Sequence, residues 1–585
     1  MKKDKKKNEK VLKVLLPYAK PYWLYTLLTP LCIIIEVLLE VNIPYTMSKI
    51  VDIGLPANDI KYIVNQGLIM IGMALLSLLF GVLASRFGAV AGMGFGAELR
   101  KGIFAKIQTF SFSNMDTFST ASLISRSTQD VSHIQNSFNM TLRMAVRSPF
   151  MFISALIMAI RINKSLVSVF LIIIPALLIV IAIVAKKAVP LFQAMMKQYD
   201  KINSTIQENQ IAIREVKAFV RSDFEKDKFE EVNNDNMAAS IKAEKLLVSN
   251  MPLMMVAMYS ATLAILWLGG NQIIQGTMLT GELISFISYI GQILMSLMML
   301  SFIFIMVIMS RASMIRVSEV LTTTPDLQDS DSEDDISVTT GAFEFKDVFF
   351  KYSKENENYV LENINLSVKA GETIGIIGAT GSAKTTLVQL IPRLYDVDQG
   401  EVLVDGRNVK DYKTKTLRDA VSVVLQKNTL FSGTILDNLR WGNQEASQEE
   451  IEEACKIANA HNFISSFPDG YMTELGQGGV NVSGGQKQRL TIARALLKKP
   501  KILIMDDSTS AVDTATDASI RKELKQNTSD ITVIIIAQRI TSVSDADRIV
   551  VMDDGKINDI GSHEYLLKNN AIYAEVYHSQ QKGVA

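Results

Sequence analysis

The chain is poor in cysteine and carries no net charge. Its 585 residues include two cysteines, Cys32 and Cys455. Cys32 stands in an apolar run and Cys455 in the more polar half, which argues against a disulfide and gives neither thiol a functional assignment. The 60 Lys and Arg balance 60 Asp and Glu, so composition gives no support to nucleic-acid binding, and no nucleic acid is expected as a partner. The basic start, MKKDKKKNEK, does not lead directly into a short apolar core with a small-residue cleavage site, so no cleaved signal peptide is expected. Apolar residues are what the chain has in plenty. They make up 48% of it, and a mean hydropathy of +0.20 is unusual for a soluble protein. Part of the chain should lie in a membrane, and its length exceeds what one compact core accommodates.

Apolar runs near the ~20 residues that cross a bilayer occur at about Leu24 to Ile43, Tyr62 to Ala84, Ala145 to Ile160, Leu166 to Val184, Met251 to Leu268 and Leu283 to Met309. Six spans place both termini on one side. The stretches after the second and fourth spans carry Arg100, Lys101, Lys106 and Arg126, then Lys186, Lys187, Lys197, Lys201, Arg214, Lys217 and Arg221. That bias makes those stretches, and both termini, cytoplasmic. They read as long helices with breaks near Ser111 to Thr120 and Gln210 to Phe219, either solvated hairpins or arms reaching a cytosolic domain at ~1.5 Å per residue.

After Val320 the acidic run TTTPDLQDSDSEDDISVTT has no apolar period and reads as a linker. From about Gly341 the pattern is α/β. The expected division is a membrane domain over 1–320, a linker over 321–340 and a nucleotide-binding domain over 341–585.

The stretch IIGATGSAKTTL, Ile376 to Leu387, is a phosphate-binding loop between an apolar strand, Thr373 to Ile377, and a helix pattern from Leu387. Gly378, Gly381, Ser382 and Ala383 are small enough for backbone N–H groups to turn onto an anion. Lys384 would reach the terminal phosphates, Thr385 would give its hydroxyl to Mg²⁺, and Thr386 closes the loop. In VSGGQKQRL, Ser483 is a good helix N-cap, and Gly484, Gly485 and Gln486 open a second helix terminus able to approach phosphate. The apolar strand Lys501 to Met505 delivers Asp506, placed to hold Mg²⁺ beside the loop. Asp507, next in the chain, is where a general base should orient the attacking water.

These pieces resemble the ATP-binding cassette family along essentially the whole chain. The resemblance implies that Tyr352 in VFFKYS stacks on adenine and that Gln426 in VVLQKNTLFSGTI senses Mg²⁺. It likens Thr473 to Gly479 to the segment that touches membrane helices in exporters, and Ser510 to Asp513 to the loop between paired cassettes. The implied fold is a six-helix, all-α transmembrane domain of ABC exporter type followed by an α/β P-loop nucleotide-binding domain. The implied protein is a half-exporter of the cell membrane that works as a dimer with ATP and Mg²⁺.

Three positions depart from the family pattern. Asp507 replaces the usual Glu, pulling the carboxylate back by about 1.5 Å, a misplacement that can cost ~10²-fold in rate. Gln538 replaces the His that contacts the γ-phosphate, and an amide cannot become imidazolium. Ala383 replaces Gly, and its Cβ disfavours positive φ. In this family two cassettes pair head to tail, so a chain with weakened hydrolytic residues and an intact VSGGQ resembles the degenerate-site subunit of bacterial heterodimeric multidrug exporters. A different half-exporter subunit is then the expected partner. A cassette that has lost function is the competing reading, set against the retention of Lys384, Thr385, Asp506, Gln426 and Tyr352.

Glu36 and Glu40, four residues apart on one face of the first span, can attract cationic amphiphiles. The alternative puts Glu40 near the outer interface and pairs Glu36 with a neighbouring helix. Phe302, Phe304, Met306 and Met309 form either an adaptable substrate wall or ordinary packing, and Arg143 and Arg147 are expected to snorkel toward the cytoplasm. The expected activity is ATP-driven export of drugs or other amphiphilic small molecules. A lipid or peptide exporter and an ATP-sensing subunit that does not pump are the alternatives.

Overall fold

The computed structural model describes residues 11–329, 337–354, 356–507 and 512–582. Two compact units emerge, one of Met1–Thr109 and Thr120–Thr323, the other of Phe110–Ser119 and Thr324–Ala585.

Among the described residues, 6 helices of the first unit are long and apolar enough to cross a membrane. Their central elements are α1 (Trp23–Lys49), α2 (Ile60–Gln108), α3 (Val131–Ile162), α4 (Ser168–Ile211), α5 (Asn250–Ile274) and α6 (Thr280–Thr322). At 49 residues, α2 is roughly 73 Å long, more than twice a hydrocarbon core of ~30 Å. Helices of this length continue well beyond the bilayer. The charged residues of the polar extensions can therefore stay in water while the apolar stretch meets lipid. Leu68, Ile71 and Leu75 of α2 are exposed, as lipid contact requires.

The inner faces pack Val37 and Val41 of α1 with Ala155 and Ala159 of α3 and with Phe286, Tyr289 and Ile293 of α6. Tyr289 donates its hydroxyl to the Val41 carbonyl at 2.8 Å, and Ser285 to the Pro44 carbonyl at 2.6 Å. These bonds satisfy hydroxyls where no water can reach. Along α2, glycines allow a close approach of α3: a Cβ on Gly92 would stand 2.9 Å from Asn139 Cβ. Such small-residue spacing is how membrane helices gain packing contact without a hydrophobic drive. At one end of the same unit, buried Asp130 accepts from Ser313 Oγ at 2.8 Å and from Arg316 Nε at 2.8 Å, joining the start of α3 to α6.

The second unit contains two main sheets. The first is antiparallel, in the order β2-β1-β4-β5, with β1 (Phe343–Phe350), β2 (Leu361–Val368), β4 (Gln399–Val404) and β5 (Arg407–Asn408). The second has the order β10-β9-β3-β8-β7-β6, with β3 (Thr373–Gly378), β6 (Val421–Val424), β7 (Ile502–Asp506), β8 (Thr532–Ile536), β9 (Arg548–Asp553) and β10 (Lys556–Gly561). All neighbours in this sheet are parallel except β9 and β10. Strands β7 and β8 are buried at every position, as a parallel sheet covered on both faces demands. The result is that the carboxyl ends of β3, β7 and β8 open side by side, where α/β sheets bind ligands. The short helix Phe112–Phe118, from the chain between α2 and α3, belongs to this unit, capped by Ser111.

Candidate functional site

The loop after β3 leads into α7 (Lys384–Gln389), which starts at Lys384 rather than at the expected Leu387. The earlier start follows from Ala383, whose left-handed φ of 66° turns the chain directly into the helix. A non-glycine residue there costs ~1–2 kcal/mol. Ala383 packs its methyl against the core of the unit, which partly offsets that cost. Gly381, at φ 92°, needs glycine's freedom outright, and a Cβ on Gly378 would stand 2.7 Å from Ser382 Oγ.

Lys384 Nζ donates to the Gly378 carbonyl at 2.9 Å, the Ala379 carbonyl at 2.8 Å and Ser382 Oγ at 3.3 Å. Its ammonium thus lies folded over the loop. Burial lowers the Lys384 pKa, against the pull of Asp506 and Asp507. Thr385 Oγ1 donates to Asp506 Oδ1 at 3.0 Å. Burial also raises the pKa of both Asp506 and Asp507, although hydrogen bonds and Lys384 act in the opposite sense. A hydroxyl and a carboxylate side by side, with the Gln426 amide near Asp507, form a hard oxygen donor set that fits Mg²⁺.

Asp507 is held from two sides. Gln426 Nε2 donates to its Oδ2 at 3.3 Å and Gln538 Nε2 donates to the same oxygen at 2.9 Å. Gln488 Nε2 reaches the Asp507 carbonyl at 3.4 Å. The structure therefore gathers Lys384, Thr385, Asp506, Asp507, Gln426 and Gln538 at the mouth of four neighbouring strands, β3, β8, β7 and β6.

Tyr352 stands at the other side of the loop. Its hydroxyl shares a 2.9 Å hydrogen bond with Thr386 Oγ1, and its ring, 44% exposed, packs edge-on against Phe350 and Tyr395. An open aromatic surface next to a phosphate loop suits base stacking. Tyr395 in turn donates its hydroxyl to Asp116 Oδ2 at 2.8 Å. Sequence reasoning missed that pair, since 279 residues separate its members.

Ser483 caps α8 (Gly484–Leu497) in a reciprocal box: Gln486 N donates to Ser483 Oγ at 3.3 Å and Ser483 N to Gln486 Oε1 at 2.9 Å. Among the described residues no hydrogen bond links Ser483, Gly484, Gly485 or Gln486 to the loop after β3. Ser483 and Gly484 are exposed. Glu474 and Leu475, in the exporter-like segment, pair antiparallel with Gly433 and Thr434. Ser510 lies outside the described residues, while Asp513 caps the helix Thr514–Asn527.

In the membrane unit, Glu36 and Glu40 meet Arg147 of α3. Arg147 Nη1 pairs with Glu36 Oε1, and Nη2 with Glu40 Oε2 at 2.6 Å. The expected snorkelling of Arg147 is corrected here, because its guanidinium turns sideways onto α1. One guanidinium between two carboxylates relieves more electrostatic cost than exposure at a helix end offers. Phe302 is exposed; the side chains of Phe304 and Met309 lie outside what is described.

Residues 26–298 match the ABC transporter transmembrane region and residues 361–510 match the ABC transporter family. The chain is 38% identical over 565 residues to the uncharacterized ABC transporter ATP-binding protein YfiB of Bacillus subtilis, covering 97% of this chain and 98% of that one. It is 34% identical over 458 residues to the ATP-dependent lipid A-core flippase of Desulfotalea psychrophila, covering 78% and 80% of the two chains. A solved bacterial Atm1-family ABC exporter with ATP bound superposes with a TM-score of 0.80 at 24% identity, over 97% of this chain and 99% of that one, a likeness of fold. With six apolar helices ahead of the ATP-binding domain and both family matches in that order, the chain belongs to the ABC transporter family, as an exporter-type half-transporter with its own ATPase domain.

Proposed function

We propose that this chain is the degenerate-site subunit of a heterodimeric exporter that uses ATP and Mg²⁺ to move drugs or other amphiphilic small molecules across the cell membrane. The observation that carries the proposal is the double amide grip on Asp507 Oδ2 by Gln426 and Gln538. A general base must present a lone pair to water. Here the shortened carboxylate points one oxygen at two amides, and both of these hydrogen bonds come from glutamines. Lys384, Thr385 and Asp506 would hold Mg²⁺ and ATP, with adenine against Tyr352. Mg²⁺ would supply charge neutralisation between the phosphates. The exposed Ser483 and Gly484, with the half-buried Gly485 and Gln486, would complete the site of a different half-exporter that brings its own Glu and His. Domain limits of 1–320, 321–340 and 341–585, with both termini cytoplasmic, belong to the same reading.

Converting Asp507→Glu together with Gln538→His tests it. We expect ATP turnover by the chain assembled alone to rise by about tenfold or more. No rise, with ATP binding retained, would count against the proposal. A lipid exporter of the same fold is the second reading, favoured by the likeness to a relative named as a lipid A-core flippase.

A further inference from the structure

Two adjoining cavities in the membrane unit share one charged wall. The first, about 310 Å³, is lined by Ile33, Glu36, Asn139, Arg143, Arg147 and Met299 among others. The second, about 500 Å³, adds Glu40 and meets the same two arginines. The charges on this wall are two carboxylates and two guanidiniums, and they are unequally matched. Arg147 takes both Glu36 and Glu40. Arg143, one helical turn earlier on the same face of α3, has no carboxylate within 4.0 Å among the described residues, and it is exposed. Its stem lies across α2 at Gly88, where a Cβ would stand 3.2 Å from Arg143 Cγ.

A second unmet group lies one turn further along. Asn139 Oδ1 is buried with no hydrogen-bond donor, and Asn139 lines the first cavity with Arg143. Residues 139, 143 and 147 thus form a ladder on one helix face: an unsatisfied acceptor, an unpaired cation and a cation already neutralised. Met140, Met144 and Met299 supply an apolar, adaptable wall beside it. An unpaired guanidinium in a membrane-spanning helix is costly and marks a functional position by default. A cationic ligand would have to displace Arg147 from its carboxylates, whereas an anionic one meets a guanidinium ready to fork onto two oxygens.

We propose that this cavity receives an amphiphile by an anionic head, a carboxylate or a phosphate, gripped by Arg143. Where the head carries a donor, as a phosphate monoester monoanion does, it hydrogen-bonds Asn139 Oδ1, and the apolar part lies among the methionines. The proposal rests on the exporter reading and fixes the charge of what is exported.

The test uses the full chain in phosphatidylcholine nanodiscs without ATP, so that its outcome is independent of whether the chain pumps. Dodecyl phosphate, laurate and dodecyltrimethylammonium serve as probes, with binding read by thermal shift and radioligand titration. We expect dodecyl phosphate and laurate to bind, Arg143→Gln to weaken both by about tenfold or more, and Arg143→Lys, which keeps the charge but loses the fork, to recover only part of that loss. Asn139→Leu should weaken dodecyl phosphate monoanion more than laurate, which offers no donor once ionised. Including phosphatidylglycerol in the nanodisc separates the sources: competition assigns the site to lipid head groups, and its absence assigns it to free amphiphiles. Equal binding of the anions by wild type and Arg143→Gln would overturn the proposal. So would tighter binding of dodecyltrimethylammonium that is lost in Glu36→Gln.

Discussion

Gln538 Nε2 stands 2.9 Å from Asp507 Oδ2, so the amide that follows β8 holds the carboxylate that follows β7. The contact has a thermodynamic side. Burial raises the Asp507 pKa in the folded protein, which means the fold disfavours its ionised form. For a carboxyl raised in this way, the cost to stability is present above the folded value and vanishes below the unfolded value of about 3.9. Asp507→Asn should therefore raise the melting temperature of the nucleotide-free protein near neutral pH, by about 1–3 °C. The difference from wild type should shrink as pH falls toward the carboxyl range. Differential scanning fluorimetry across pH checks both the sign and the trend.

Ala383 tests whether the phosphate loop still works. Its φ of 66° is open to alanine at a modest cost, and closed to a β-branched side chain. Ala383→Gly should leave ATP affinity within about threefold, because the loop already holds the required conformation. Ala383→Val should lower affinity by about tenfold or more. Titration with a fluorescent ATP analogue distinguishes these outcomes, and a large gain in Ala383→Gly would show that the alanine had disabled the loop.

The Tyr395 to Asp116 hydrogen bond, 2.8 Å long, ties the helix Phe112–Phe118 to the aromatic group that includes Tyr352. Burial raises the Tyr395 pKa, with Asp116 adding to the rise, so the phenol remains a donor throughout the physiological range. Tyr395→Phe keeps the ring and removes about 1 kcal/mol of net bonding. We expect ATP binding to be unchanged and amphiphile stimulation of ATP turnover in the proposed heterodimer to fall several-fold. Unchanged stimulation would limit this contact to packing.

The Glu36, Arg147 and Glu40 group should behave as a unit. Arg147→Ala leaves two carboxylates facing each other and should destabilise the membrane unit by ~2 kcal/mol, less than a fully buried pair because these side chains are partly exposed. Adding Glu36→Gln and Glu40→Gln to Arg147→Met should recover much of the loss. Melting temperature and monodispersity in detergent report the comparison.

The spans and the α/β pattern were legible because both are local: a long apolar run or a strand-loop-helix motif is carried by adjacent residues. The same holds for the capping of Ser483, visible in Ser-Gly-Gly-Gln. Arg147 was read in the wrong direction because its choice between the helix end and α1 depends on how α1 and α3 pack, 107 residues apart in the case of Glu40. A pair of glutamates at helical spacing in one span, with arginines at helical spacing in another, was the available signal. The start of α7 at Lys384 was missed because hydrophobic periodicity begins later than helical geometry, which here is set by one backbone angle at Ala383. Tyr395 and Asp116 carried no mark at all until the fold placed them together.

The central claim is that this chain holds ATP at its own loop and contributes fast hydrolysis only through VSGGQ. Steady-state ATP turnover in lipid, measured for the chain alone and after assembly with a half-exporter that carries Glu and His, tests it directly. The account predicts slow turnover alone and a rise of about 10²-fold on assembly, which Ser483→Arg in this chain abolishes. Rapid turnover by the chain alone, or a heterodimer indifferent to Ser483→Arg, would contradict it.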